Sequence, residues 1–346
     1  MKFTYYAAFI PGMQTVVEDI VKTRLKDVNI KKLLDGAVFF ETDCSYDSLN
    51  FFCFNNIFSV LDIFENADEK NAIENHINKI FRQKNFIFGD KPPSKKIKTF
   101  RVISSHANQL VPVDEKIKLN IEKYISQKTG LSCNRSSPDT EFWFLYRNEK
   151  FSLFMERRSR HHSFDKTLHK GELPPQLAYM MCRMANPGKA HIVLDPFCGY
   201  GAIPEQALKH FPAENVYAFD INNDALKFTR KKFTGSTKNC IINNVDINTI
   251  FSSLAEKSID RIITDPPWGM YEQPEIPIGL FYEKMINIFS RLLKDDGIIV
   301  LLTARKEELA AAVSKCKKLM IKNTLNILLS GKKAAVFIVT NAPQSA

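Results

Sequence analysis

The sequence predicts an α/β chain in which a mostly parallel seven-stranded sheet, closed by an antiparallel edge hairpin, follows two smaller α+β units. Three observations point there. From residue 190 onward, short β-branched runs alternate with helical patterns, as a parallel sheet covered by helices on both faces requires. At 346 residues the chain can hold two or three domains, each with its own core. The AVILMFWYC set makes up 45% and charged residues 25%, which excludes an intrinsically disordered chain.

In residues 1–90, strand-like runs at Thr4 to Ile10, Ala37 to Glu41 and Ser59 to Phe64 alternate with amphipathic stretches at Gln14 to Lys26, Tyr46 to Asn55 and Glu69 to Arg82. The proline pair and charges of Asp90-Lys91-Pro92-Pro93-Ser94-Lys95-Lys96 read as a linker, so a first domain is expected over 1–90. A second, over 91–165, starts with a strand at Phe100 to Ser104 and a helix from Asp114 to Gln127 ended by Gly130. It closes with strands at Phe142 to Arg147 and Phe151 to Glu156 around a hairpin-length turn.

The third domain, 166–346, opens with a helix from Glu172 to Met184. Strands follow at His191 to Leu194, Val216 to Phe219, Asn239 to Ile242, Arg261 to Thr264 and Ile298 to Leu302. The edge hairpin pairs Leu325 to Leu329 with Ala334 to Val339 across Ser330-Gly331-Lys332-Lys333.

Charge is unevenly placed. Residues 91–170 carry 17 basic and 8 acidic side chains, against 10 and 13 in residues 1–90 and 21 and 17 in the remainder. A basic block between near-neutral regions is the footprint of a polyanion contact or of a solvated lysine-rich surface. Seven cysteines show no CxxC pair, which argues against a disulfide frame or a zinc ribbon. His161, His162 and His169 lack the Cys or carboxylate neighbours that would complete a ligand set, so no metal is expected. The opening MKFTYYAAFIPGM lacks the apolar core of a secretory signal, and no apolar run exceeds six residues (the short run Ile298 to Leu302 has five), far below the ~18 residues of a membrane span. A cytoplasmic protein without membrane contact is expected.

Two turns carry the chemistry. Asp195-Pro196-Phe197-Cys198-Gly199-Tyr200-Gly201 stands between a strand and a helix, where open parallel sheets bind ligands. Gly199 and Gly201 let backbone turn sharply and approach a ligand. Asp220, ending the next strand, can accept both hydroxyls of a ribose, and Asp246, after the third, can accept from an adenine amino group. Phe197, Ile221 and Ile247 flank these positions as further cofactor contacts, and Cys198 is a small spacer with no base beside it. The pattern is neither GxxxxGK nor GxGxxG, so it reads as a nucleoside cradle rather than a phosphate loop.

Asp265-Pro266-Pro267-Trp268-Gly269 forms the second turn. Its prolines rigidify the loop and remove competing N–H donors. A planar amine can then donate to the Asp265 carboxylate and the Pro266 carbonyl while Trp268 stacks on the base. With the sulfonium methyl of S-adenosylmethionine as electrophile, the step is an in-line displacement in which Asp265 stabilises the charge gained by nitrogen.

DPFCGYG followed by DPPWG resembles the class I S-adenosylmethionine-dependent amino-methyltransferases of nucleic acid, whose catalytic domain is Rossmann-like. YYAAFIPGMQTVVEDIV with GAVFFET resembles the N-terminal ferredoxin-like domain of the THUMP RNA methyltransferases. SSPDTEFWFLYRNEKFSLFMERR resembles the end of a THUMP domain, with Pro138-Asp139 before the final hairpin. The resemblance implies tRNA binding and methylation of guanine N2 in the acceptor region. It also implies that HKGELPPQLA, with Leu173 and Pro174, closes over the methionine part of the cofactor. Arg157, Arg158, Arg160, Lys166 and Lys170, with Lys95 and Lys96, would then meet RNA phosphates. A small activating partner protein stays open. Tyr200 and Gln206 depart from the family pattern, where a small residue and Glu are commoner, and Trp268 replaces Tyr or Phe. DPPW also occurs in N6-adenine methyltransferases, so an amino-methyltransferase of rRNA or DNA is the alternative, and a non-catalytic RNA-binding protein the third reading.

Overall fold

The computed structural model describes residues 2–49, 51–65, 71–83, 88, 97–106, 109–147, 150–158, 168–188, 191–234, 239–269 and 276–343. Contacts divide the chain into two units. The first comprises Met1–Ala8, Val21–Asn50 and Phe54–His162; the second comprises Phe9–Ile20, Phe51–Cys53 and Ser163–Ala346. The division expected at 90/91 is crossed by hydrogen-bonded strands.

The first unit is built on one nine-stranded sheet: β1 (Phe3–Ala8), β2 (Asn29–Leu34), β3 (Ala37–Thr42), β4 (Asn56–Glu65), β5 (Thr99–His106), β6 (Gln109–Leu110), β7 (Ser132–Cys133), β8 (Thr140–Arg147) and β9 (Phe151–Arg157). Its order is β2-β3-β1-β4-β9-β8-β5-β6, with β7 beside β5. Antiparallel β4–β9 pairing joins the two halves that composition separates, because a linker shows in a sequence and an inter-strand ladder does not. Alternation along β8 and β9 sends Phe142, Phe144, Tyr146 and Phe154 into one core with helices α2 (Ala72–Arg82) and α3 (Glu115–Thr129). The opposite alternation sends Leu145, Phe151, Leu153 and Met155 against Tyr6, Phe39 and Phe58. The sheet is strongly coiled: Lys32 of β2 places its ammonium 4.2 Å from the Phe151 ring of β9, three intervening strands away.

Local signals held where the sequence supplied caps. Asp114 accepts from the N–H groups of Lys116 and Ile117 to start α3, and Gly130 ends it at φ 73°. Asp139 of the Pro-Asp pair accepts from the N–H groups of Lys98 and Thr99, at 2.8 and 2.9 Å, tying the β8 entry to β5. Two readings fail. β2 escapes notice because Lys31 and Lys32 interrupt its alternation on an edge strand. Tyr46 to Asn55 is not a helix but a single 3₁₀ turn, Tyr46–Ser48, followed by irregular chain. Its aromatic run lacks helical spacing and is packed individually: the Phe52 ring lies 3.8 Å from that of His210.

Buried His76 shows a Ser-His-Asp line that is structural. Its Nε2 is 2.9 Å from Asp62 and its Nδ1 2.9 Å from Ser152, both His76 and Ser152 being fully buried. Burial holds the imidazole below its ordinary pKa despite Asp62. A neutral ring donating to Asp62 and accepting from Ser152 satisfies every group.

The second unit carries helix α4 (Pro175–Ala185) and strand β10 (Ile192–Asp195), then α5 (Ala202–His210), β11 (Asn215–Asp220), α6 (Asn223–Phe233) and β12 (Asn239–Asn244). After these come β13 (Ile259–Thr264), α7 (Ile278–Leu292), β14 (Leu293–Thr303), α8 (Lys306–Lys315), β15 (Leu319–Leu329) and β16 (Lys332–Asn341). Sheet order is β12-β11-β10-β13-β14-β16-β15, parallel through β14 and antiparallel at β14–β16–β15. This is the expected seven-stranded sheet with its edge hairpin. Every residue of β13 is buried, as a strand covered on both faces must be. The hairpin turns through Ser330 and Gly331 at φ 48° and 79°, the left-handed pair that a two-residue turn demands.

The N-terminal helix α1 (Gln14–Arg24) enters this unit through its first residues, a contribution the sequence did not disclose. Asp19 pairs with Arg183 at 2.7 Å, and the Leu328 N–H donates to the Pro11 carbonyl at 3.2 Å. Gly12 is required there: it sits at φ 94°, and a Cβ would lie 1.9 Å from the Asn326 carbonyl oxygen.

Candidate active site

Strand order reverses between β10 and β13, and at this switch point an open α/β sheet forms a crevice beyond its carboxyl ends. Both sequence-predicted turns lie there. The last residues of the two strands touch: the Thr264 hydroxyl donates to Asp195 Oδ1 at 2.7 Å. Asp195 is almost fully buried, and burial raises its carboxyl to about 8, opposed by Thr264 and the Phe197 N–H and reinforced by the Asp220 and Asp265 charges. Asp195 therefore shapes the turn from beneath, its Oδ1 also accepting the Phe197 N–H at 3.3 Å.

Above it the glycine turn is stitched to β11. Asp220 accepts from the Gly199 N–H at 2.7 Å through one oxygen and from the Asn222 N–H at 2.8 Å through the other. Each carboxylate oxygen has a second lone pair, which suits a diol. Gly199 is at φ 48° with nothing within 4 Å of a Cβ position, so the turn leaves open space on its outer side. Gly201 is at φ 80°, and a Cβ there would lie 2.7 Å from Thr229 Cγ2. Thr229 was not foreseen: its hydroxyl donates to the Gly199 carbonyl at 2.7 Å, and only its helical spacing in α6 could have hinted at the contact.

Ile221 is 69% exposed beside Asp220, an apolar side chain presented to solvent. Ile247 is buried, and Asp246 caps the following 3₁₀ turn, one oxygen accepting both the N–H and the side-chain amide of Asn248. Cys198 is buried, and burial pushes its thiol far up, which fits a spacer and excludes a thiolate at neutral pH. The segment before α4 is fixed to the same turn: His169 stacks on Tyr200 at 4.3 Å, Glu172 pairs with Lys232 at 2.7 Å, and Leu173 is buried with Pro174 partly covered.

The proline turn leaves β13 directly. Asp265 is half-buried, and burial raises its carboxyl to about 7 even though the Trp268 indole N–H donates to its Oδ1 at 2.8 Å. That bond gives Trp268 a role beyond the stacking expected of it. Pro266 is buried and Pro267 exposed. The Pro267 carbonyl accepts from the Tyr282 hydroxyl at 3.0 Å and the Trp268 carbonyl from Arg305 Nε at 2.9 Å. No local sequence signal marks either partner, since both come from other elements.

The basic residues fare differently. Arg157 presents little of its guanidinium outward: its side chain is 11% exposed and is held by Glu141 at 2.7 Å and by Asn56. Arg158 is tied to Ser59 at 2.9 Å and Glu156 at 3.1 Å. A charge count cannot tell an arginine that serves a buried carboxylate from one that faces solvent. Lys170 is exposed, while Arg160, Lys166, Lys95 and Lys96 lie outside the described residues. No cluster of three or more potential metal ligands occurs among the described residues, and none of the described helices is long and apolar enough to cross a membrane.

Comparison with known proteins agrees with this geometry. Residues 163–334 match the family described as RMKL-like, methyltransferase domain. A DNA methylase family also matches, over residues 43–230, a span that stops short of Asp265. The chain is 25% identical over 225 residues to the tRNA (guanine(10)-N2)-dimethyltransferase of Methanocaldococcus jannaschii, covering 60% of this chain and 62% of that one. It is 25% identical over 219 residues to the tRNA (guanine(6)-N2)-methyltransferase of Thermus thermophilus, covering 62% and 65%. The match thus spans just under two thirds of either relative. The crystal structure of TrmN from Thermus thermophilus superposes with a TM-score of 0.80 at 17% identity over 98% of this chain and all of that one, a likeness of fold.

Proposed function

From the match of residues 163–334 to the RMKL-like methyltransferase-domain family, we propose that this chain transfers the methyl group of S-adenosylmethionine to an exocyclic amine of RNA, N2 of a guanosine in the acceptor region of tRNA. The observation that carries the reading is the 2.7 Å bond between Thr264 and Asp195, which sets the glycine turn and the proline turn side by side. The residues present suit such a donor. Gly199 leaves room for close approach, Asp220 offers lone pairs to a ribose diol, and exposed Ile221 offers an apolar face to a purine. In this reading Asp246 and Ile247 would flank the adenine, and Leu173 and Pro174 the methionine part.

When bound, the donor supplies an electrophilic methyl on sulfur. The chain's own part is alignment and charge. Asp265 and the Pro266 carbonyl accept the two N–H bonds of the amine, which turns its lone pair toward the glycine turn. Taking up that methyl, with the thioether as leaving group, would put positive charge on the amine nitrogen. Asp265 stabilises that cation and takes one proton from it. A carboxyl raised to about 7 by burial suits a base working near neutral pH. Guanine N2 is favoured over adenine N6 because both relatives named above act on guanine N2, whereas the DNA methylase match omits the proline turn. We further propose that residues 91–165 correspond to a THUMP domain and contribute RNA contacts, and that Lys170, just beyond them in the chain, adds another.

The test incubates the protein with labelled S-adenosylmethionine and, separately, tRNA, rRNA and duplex DNA, and identifies the product nucleoside by mass spectrometry. N2-methylguanosine from tRNA is expected. N6-methyladenine from rRNA or DNA overturns the base and substrate assignment.

A further inference from the structure

Resting on the reading above, we propose that Tyr282 and Arg305 are positioning residues that aim the proline turn, so that the target amine meets Asp265 and the Pro266 carbonyl and no other acceptor of the turn.

Residues 266 and 267 have no N–H, so the turn cannot hold itself by backbone bonds from these positions. Pro266, Pro267 and Trp268 present three carbonyl acceptors in succession, and an amine could engage any of them. Two are taken. The Pro267 carbonyl accepts the Tyr282 hydroxyl at 3.0 Å, and the Trp268 carbonyl accepts Arg305 Nε at 2.9 Å. Among the described residues none donates to the Pro266 carbonyl.

The donors are themselves held. Tyr282 has one hydroxyl proton, committed to Pro267, so the Thr303 hydroxyl 2.8 Å away must donate to the phenol oxygen. Thr303 in turn accepts the backbone N–H of Arg305 at 2.9 Å. A chain of donors therefore runs from Arg305 N–H through Thr303 and Tyr282 to Pro267, and the Arg305 side chain returns to the next carbonyl. Tyr282 and Thr303 are fully buried, so water does not compete for these bonds, and each polarises the next. Burial pushes the Tyr282 phenol far up, so it stays a donor throughout the neutral range. The chain anchors the turn to α7 and β14, two elements of the sheet-and-helix scaffold.

The experiment compares wild type with Tyr282→Phe and Arg305→Gln. It measures kcat and KM on the tRNA substrate and, by calorimetry, the Kd for S-adenosylhomocysteine. Each variant is expected to lose roughly tenfold in kcat, as for one lost hydrogen bond in a preorganised site, with Kd unchanged within twofold. The double variant is expected to lose less than the product of the two, because both act on one turn. Tyr282→Phe keeps the packed ring, and Arg305→Gln, lying at a partly exposed position, gives a second arm should the first unfold. Wild-type kcat in a folded variant overturns the proposal while leaving the methyltransferase reading intact. A wild-type protein that neither binds S-adenosylhomocysteine nor labels RNA overturns both.

Discussion

The turn after β10 and the turn after β13 lie side by side, joined by the Thr264–Asp195 bond, yet they are shaped by different means. The first is made by glycine: two left-handed residues, Gly199 and Gly201, with the strand-end carboxylate of Asp220 binding the Gly199 N–H. The second is made by proline, which cannot donate, and is fixed by side chains from elsewhere in the chain. One turn thus sets its bend with its own glycines, tied down by Asp220 and Thr229, and is open to a ligand that approaches backbone. The other borrows its geometry and offers acceptors in a drier setting, where Asp265 titrates near 7. The difference matches the tasks: holding a large ligand needs room, and aiming a small group needs rigidity.

The sharpest break in this comparison is Asp265→Asn. It preserves an acceptor for the Trp268 indole and leaves the glycine turn untouched, so S-adenosylhomocysteine affinity should hold while transfer falls on the order of 10³-fold, the scale for losing a positioned base and its charge. Parallel loss of affinity and turnover would contradict the separation of roles.

Gly201→Ala and Gly199→Ala sharpen it on the other side. At 201 a Cβ meets Thr229 at 2.7 Å and φ is 80°, so the variant should lose about 2 kcal/mol of stability together with cofactor affinity. At 199 a Cβ meets nothing within 4 Å, so stability should fall only by the left-handed strain, about 1–2 kcal/mol, and the larger loss should appear in S-adenosylhomocysteine Kd. Chemical denaturation beside calorimetry separates the two. Equal affinity for wild type and Gly199→Ala would mean that the open space is not used.

What could be read from the sequence follows the same division. DPFCGYG and DPPWG were legible because glycine and proline state their backbone requirements locally, and the sheet followed from β-branched runs with acidic ends. Tyr282, Thr303, Arg305 and Thr229 were not, since a tyrosine at helical spacing among Met285, Ile286 and Phe289 reads only as core. The burial of Arg157 was hidden for the converse reason: the strand partners that hold it, Glu141 and Asn56, are distant in the chain. The nine-stranded sheet hid behind its linker in the same way.

Trp268→Phe probes the coupling between the proline turn and its base more gently. Burial raises the Asp265 carboxyl and the indole N–H opposes that rise. Without the donor the carboxyl should move further up, so the ascending limb of the kcat–pH profile shifts to higher pH, with most of the activity recovered in alkaline buffer. A limb that stays in place would show that Asp265 is not the titrating base.

The smallest expected effect is on stability, and its sign is the informative part. Asp265 is raised to about 7 in the folded chain from 3.8, so in the folded state it keeps its proton when the unfolded chain has lost it. Stability linked to this group is therefore fully present below about pH 4, falls as pH rises toward 7, and is flat above. The neutral amide of Asp265→Asn escapes this loss. Its melting temperature should equal wild type near pH 4, if both stay folded, and exceed it by about 1–2 °C at pH 8, the scale of roughly 1 kcal/mol in a chain of this size. An amide less stable than wild type at pH 8 would indicate that the ionised carboxylate is held by bonds stronger than the single one from Trp268. In that event the proline turn would be built for stability, and its likeness in kind to the glycine turn would be closer than the geometry implies.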